Sequence, residues 1–235
     1  MRDADPRHSK ILLALAALGA GLNLADASRT AGPRRAAGLF ALGAGLPAVG
    51  EVLATGPLNL LRHRTRPRAA GVPAAILLGW YCAIRGSYAV AGRALARLPL
   101  GETARRAALP PAAALVGTSL DLVLDPAGLG LGLWEWKGDG AYAPDVTGAN
   151  GRRGVPLVNY LGWLALVSGA VLIHGRTFGD DAGEGREAGR LPGLLLVPPY
   201  LAAAAWAARS RRFRYLIYSA PFPIALLASL RGPGR

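Results

Sequence analysis

The chain has 235 residues, 52% of them hydrophobic and only 17% charged, with 32 glycines and 18 prolines, a composition that excludes an average soluble domain. Its net charge of +13 is almost all arginine, Lys10 and Lys137 being the lysines, and the arginines sit between apolar runs. That spacing suits loops beside phosphate headgroups and argues against nucleic acid, which would want one continuous basic face. The single cysteine, Cys82, excludes an intramolecular disulfide and a cysteine metal cluster.

Met1 to Lys10 is polar, and Ile11 to Ala25 forms a first apolar run of 15 residues, short of the roughly 20 that cross hydrocarbon. Ala25-Asp26-Ala27 has the small-x-small form of a signal cleavage site, but Asp3 and Asp5 in the leader favour an uncleaved first helix. The second run, Ala36 to Ala54, is rich in small residues that allow close helix contact; Pro47 should kink it, and Glu51 lies near its end. The third, Val72 to Gly92, carries Trp80, Tyr81, Cys82, Arg85 and Tyr88. Arg85 is expected to snorkel to the interface rather than pair with an acid in the bundle. Trp80 and Trp206 are expected in an interfacial aromatic belt. Ala107 to Leu124 is the fourth run and Val155 to Ile173 the fifth. A loop of both charge signs, Gly175 to Arg190, precedes Leu191 to Ala208, which contains Pro198-Pro199, and the short Tyr215 to Leu230, broken by Pro221 and Pro223. The fold class is therefore all-α: a single integral membrane domain over 1–235, a polytopic bundle of about seven transmembrane helices in the cell membrane.

Chemistry-bearing residues gather between Ser119 and Trp163. Asp121 and Asp125 stand four apart, so a helix would stack both carboxylates on one face. Pro126 is expected to end that helix at Asp125, for which a turn role is the plainer alternative. Acids where an apolar run meets a glycine-rich loop are costly to desolvate, which favours a functional reading. The stretch Gly71-Val72-Pro73 through Leu78-Gly79-Trp80 matches Gly154-Val155-Pro156 through Leu161-Gly162-Trp163, six identities at one spacing. Each copy follows a run ending in an acid, Glu51 or Asp121. The match defines repeat halves at approximately 36–92 and 107–175, running parallel. This symmetry brings Glu51, Asp121 and Asp125 to one membrane face, with Trp134, Trp136, Tyr142, Asn159 and Tyr160 nearby. His8, His63 and His174 are dispersed, show no metal-ligand spacing, and are expected to be solvated.

Asp121, Asp125, Pro126, Gly132, Trp134, Trp136 and Tyr142, followed by Gly154, Val155, Pro156, Asn159, Tyr160, Gly162 and Trp163, resemble the signature of the carotenoid biosynthesis membrane proteins that include bisanhydrobacterioruberin hydratase. The resemblance covers roughly Glu51 to Trp163. It implies an integral membrane enzyme that adds water to the terminal double bond of an acyclic carotenoid end group, with no redox cofactor and no metal. The partners it implies are membrane lipid, the carotenoid and other carotenoid biosynthesis enzymes. Together with the repeat symmetry, which adds Glu51, it points to Asp121, Asp125 and Glu51 as the catalytic set, and to Trp134, Trp136, Tyr142, Asn159, Tyr160 and Trp163 as the substrate-binding set.

Such a hydration needs a proton delivered to one carbon, a tertiary cation stabilised at the other, and a water deprotonated as it attacks. Burial favours a protonated carboxyl, so Asp121 is expected to donate, Asp125 to orient or deprotonate water, and Glu51 to support them, a role that either Asp could hold instead; Asn159 holds the water or the loop. The resemblance implies aromatic residues after Thr-Gly, whereas this chain reads Thr55-Gly56-Pro57-Leu58-Asn59-Leu60-Leu61-Arg62. The alternative function is a noncatalytic carrier or transporter built on the parallel repeat.

Overall fold

Proline and its flanking residues set where the first helices begin. The computed structural model, which describes residues 3, 5–178 and 189–231, opens with α1 (Pro6–Ala31), whose start is capped by the Asp5 carboxylate accepting from the Arg7 N–H at 2.8 Å. Gly32, at φ 87°, turns the chain directly into α2 (Pro33–Thr55). Then come α3 (Ala74–Leu95), α4 (Glu102–Gly130), α5 (Leu157–Phe178), α6 (Leu191–Leu194), α7 (Val197–Arg209), α8 (Arg214–Tyr218) and α9 (Pro221–Leu230). The protein is an all-α polytopic helix bundle. Among the described residues, six helical segments are long and apolar enough to cross a membrane, with α6 and α7 together forming the sixth.

The run Tyr215 to Leu230 does not give a seventh span. It splits into α8 and the ten-residue α9, and a helix that short reaches about 15 Å, half the hydrocarbon thickness. The first run is longer than its apolar stretch suggested, because α1 extends through Ala25-Asp26-Ala27, where Asp26 and Ala27 are buried.

α3 is the central helix. In its most apolar stretch 67% of the residues are buried, against 22% in those of α1 and α2. Tyr81, Ile84, Tyr88 and Val90 of α3 pack with Leu39, Leu120, Val167 and Phe222 from the surrounding helices. The outer helices turn large apolar side chains such as Leu15, Val49, Leu161 and Leu201 away from this core, as lipid-facing surfaces do. Arg85 does not snorkel. It sits near the middle of α3, about 16 Å from either end, and its guanidinium pairs with the buried Asp26 carboxylate of α1 at 3.1 Å.

Pro126 does not end α4 either. The helix continues to Gly130. A proline cannot bond the carbonyl four residues back, and here that carbonyl, Leu122 C=O, accepts from the Tyr142 hydroxyl at 2.7 Å. The helical turn is kept because a loop side chain replaces the missing donor.

Three two-stranded antiparallel pairs cap one face of the bundle among the described residues: β1 (Leu61–His63) with β4 (Trp134–Trp136), β2 (Arg68–Ala69) with β3 (Val72–Pro73), and β5 (Tyr142–Thr147) with β6 (Arg153–Val155). In the first pair Leu61 faces Trp136, Arg62 faces Glu135 and His63 faces Trp134. Ion pairs fasten this face at both ends of the chain. Asp3 holds Arg66 and Arg68, and Asp145 accepts from Arg212, Arg214 and the Tyr215 hydroxyl.

Candidate active site

Helical spacing puts Asp121 and Asp125 one turn apart on α4, both buried, at 5% and 3% exposure. A single amide bridges them. Asn159, in the first turn of α5, donates Nδ2 to Asp121 Oδ2 and to Asp125 Oδ2, each at 2.8 Å. The second oxygen of Asp125 accepts from Trp134 Nε1. Alternation along β4 sends Trp134 and Trp136 to the same face, and the buried Trp136 Nε1 stands near Asp125 without a hydrogen bond among the described residues. Gly128 makes the approach of Trp134 possible, since a Cβ at that position would collide with the indole ring.

Glu51 at the end of α2 is held in the same manner by the other half of the chain. Its Oε1 accepts from Trp80 Nε1 at 2.9 Å, and its Oε2 bonds His63 Nε2 at 2.8 Å. Glu51 lies within electrostatic reach of both Asp121 and Asp125. The Trp80 ring packs on Trp163 with centroids 4.0 Å apart. The β1 and β4 strands form a clasp: His63 holds Glu51, its cross-strand neighbour Trp134 holds Asp125, and the two rings meet edge to face at 6.4 Å.

Tyr160 completes the wall with a buried hydroxyl that has no partner among the described residues. Its ring meets Tyr142 edge-on at 5.0 Å, and Tyr142 continues into a cluster with Tyr215 and Tyr218. Burial, reinforced by the neighbouring Tyr215, pushes the Tyr142 phenol above its ordinary range, so it stays a donor to Leu122. Tyr215 itself is pushed up to about 12, by burial and by its bond to Asp145.

All nine residues singled out in the sequence lie in this one region, and the structure adds two more. Trp80 is not an interfacial belt residue: it is 8% exposed and bonded to Glu51. Its alignment with Trp163 in the repeat was the signal for that role. His63 is not solvated: it is 3% exposed and paired with Glu51. No spacing rule points to it, because the turn after α2 folds β1 back onto that helix. His174 is also buried and bonds the Arg35 carbonyl at 3.1 Å, whereas His8 is exposed.

The family model for carotenoid biosynthesis proteins matches residues 10–220. The chain belongs to the carotenoid biosynthesis protein family. Curated proteins and solved structures give no significant match. Membership gives the chain a role in carotenoid biosynthesis, with a carotenoid substrate and a membrane setting that the six apolar spans suit. The family match takes in all three carboxylates and every side chain that holds them, from Glu51 to Trp163.

Proposed function

We propose that this family member is a hydratase that adds water across the terminal C=C of an acyclic carotenoid end group. The single observation that supports this most is the Asn159 amide bridging two buried carboxylates, the second of which also accepts from Trp134. Two like charges held to one nitrogen repel, and one proton shared between them relieves the repulsion, which leaves a donor and a base side by side. Asp121, deeper in α4, gives its proton to the less substituted carbon as the π bond breaks. The tertiary cation forms under the faces of Trp134, Trp136 and Tyr160. Water attacks it, a C–O bond forms, and the released proton goes to Asp125. No electron leaves the substrate, and the proton taken up at Asp125 balances the one that Asp121 gives and that must be restored before the next turnover. Glu51 supports the pair electrostatically, and Trp163 backs Trp80 behind it.

We further propose that residues 36–92 and 107–175 are copies of one parallel unit. Gly71 and Gly154 both adopt positive φ, 83° and 75°, just before α3 and α5, and the matched tryptophans stack on one another. The cell membrane is the proposed location, and other carotenoid biosynthesis enzymes are the proposed partners. The test is expression in a host that accumulates lycopene or a similar acyclic carotenoid. A tertiary alcohol heavier by one water is expected; pigment that is bound or moved unchanged would indicate a carrier instead.

A further inference from the structure

A pocket of about 240 Å³ opens on the loop face, with Thr55, Asn59, Arg62, His63, Arg68 and Lys137 in its wall. Asn59 and Lys137 are exposed there, whereas His63 is buried. The imidazole has two unlike sides. Nε2 bonds Glu51 Oε2 at 2.8 Å, and the buried Nδ1 has no partner among the described residues. The ring is fixed from outside as well, because Arg68 donates to the His63 carbonyl at 2.6 Å and Trp134 lies against the ring from β4. The charged groups around it are Glu51 on α2, Arg62 and Arg68 on its own loop, and Lys137 after β4.

A buried imidazole in the wall of a polar pocket, with one nitrogen on a carboxylate and the other without a partner among the described residues, has the parts of a proton conduit. We infer that His63 exchanges protons between water in this pocket and Glu51, linking the carboxylate cluster to the aqueous side of the loop face. The inference rests on the hydratase reading and gives His63 a positioning and proton-exchange role without contact to the polyene. In the inward step a hydronium proton binds Nδ1 and the Nε2 proton passes to Glu51 Oε2. The ring ends neutral in its other tautomer, the carboxylate becomes a carboxyl, and the reverse step restores both. Hydration consumes one proton at carbon and frees one from water, so an exchange route to solvent reloads the cluster when the proton on Asp125 is lost.

The experiment uses the full chain in membranes. His63→Ala and His63→Gln are each expected to lower turnover about 100-fold, the lower end of what a general acid or base contributes. Added imidazole should restore part of the loss in His63→Ala, where the space is open to the pocket. It should restore none in His63→Gln, where the amide fills that space and still bonds Glu51. In parallel, His63→Cys in a Cys82→Ser background is expected to react with a membrane-impermeant thiol reagent. Wild-type turnover in either variant, failure of imidazole to rescue a folded His63→Ala protein, or an unreactive His63→Cys would overturn the inference. A wild-type chain that makes no alcohol would sink the hydratase reading instead, and the thiol reaction would still decide whether water reaches His63.

Discussion

Replacing Asn159 with leucine keeps the side-chain size and removes the donor that bridges the two aspartates. Among the described residues the Asn159 amide is the hydrogen-bond donor to Asp121, whereas Asp125 also has Trp134. Bonds to charged groups are worth about 1.5–3 kcal/mol each, and polar contacts in membrane bundles average nearer 0.6 kcal/mol. Two such bonds lost therefore cost between about 1 and 6 kcal/mol, the lower figure from the membrane average and the upper from charged bonds. Asp121→Asn is the control. It removes the transferable proton without changing the charge of the pair and leaves amides that can still bond, so the bundle should unfold near the wild-type temperature, while turnover falls on the order of 100 to 10,000-fold. Asn159→Leu should lose both stability and turnover. Thermal unfolding in detergent gives the first quantity, and alcohol formation in a carotenoid-producing host the second. An Asn159→Leu protein with wild-type unfolding temperature and wild-type turnover would refute the bridge as the organiser of the site.

Gly128→Ala should reduce turnover by displacing the Trp134 indole from Asp125, even though alanine favours a helix over glycine by about 1 kcal/mol; product yield together with unfolding temperature separates the two effects. Arg85→Met leaves the buried Asp26 unpaired and should destabilise the bundle by about 3–5 kcal/mol, with much of the loss recovered when Asp26→Leu is added, as a double-mutant cycle on detergent unfolding would read. Burial alone would raise the Asp145 carboxyl, but bonds from Tyr215, Arg214 and Arg212 outweigh it and hold the group below its ordinary value. Its stabilising effect is therefore complete above the unfolded-state pKa of about 3.9 and is lost as pH falls through the lower folded value. Asp145→Asn should cost about 1 kcal/mol at neutral pH, an exposed network discounted for solvent, and the difference from wild type should shrink below about pH 4 when unfolding is followed against pH.

The two aspartates could be placed on one face from their spacing because a helix maps four residues onto one turn, and their burial followed from the apolar run around them. The bridging amide could not be placed that way. Asn159 belongs to another helix, and whether it meets Asp121, Asp125 or neither depends on how α5 packs on α4. For Trp80 the sequence leaves two roles, because an aromatic near a helix end suits both an interfacial belt and an inward hydrogen bond, and the bond to Glu51 at 2.9 Å distinguishes them. For Arg85 the sequence favours snorkelling because its partner, Asp26, lies just past the apolar run that ends at Ala25, and only the continuation of α1 to Ala31 brings the acid into the bundle. Pro126 obeyed the local rule, since it does leave a carbonyl free, yet Tyr142 from beyond the helix takes that carbonyl and the chain stays helical. Local chemistry was legible in each case, and the deciding partner was remote in sequence.

The most direct test of the account is the origin of the product oxygen. Membranes containing the protein, given an acyclic carotenoid in oxygen-18 water under ordinary dioxygen, should form a tertiary alcohol whose hydroxyl carries the heavy isotope. They should form it equally well without dioxygen. An alcohol whose oxygen came from dioxygen, or one whose formation stopped when dioxygen was removed, would contradict acid–base hydration at Asp121 and Asp125.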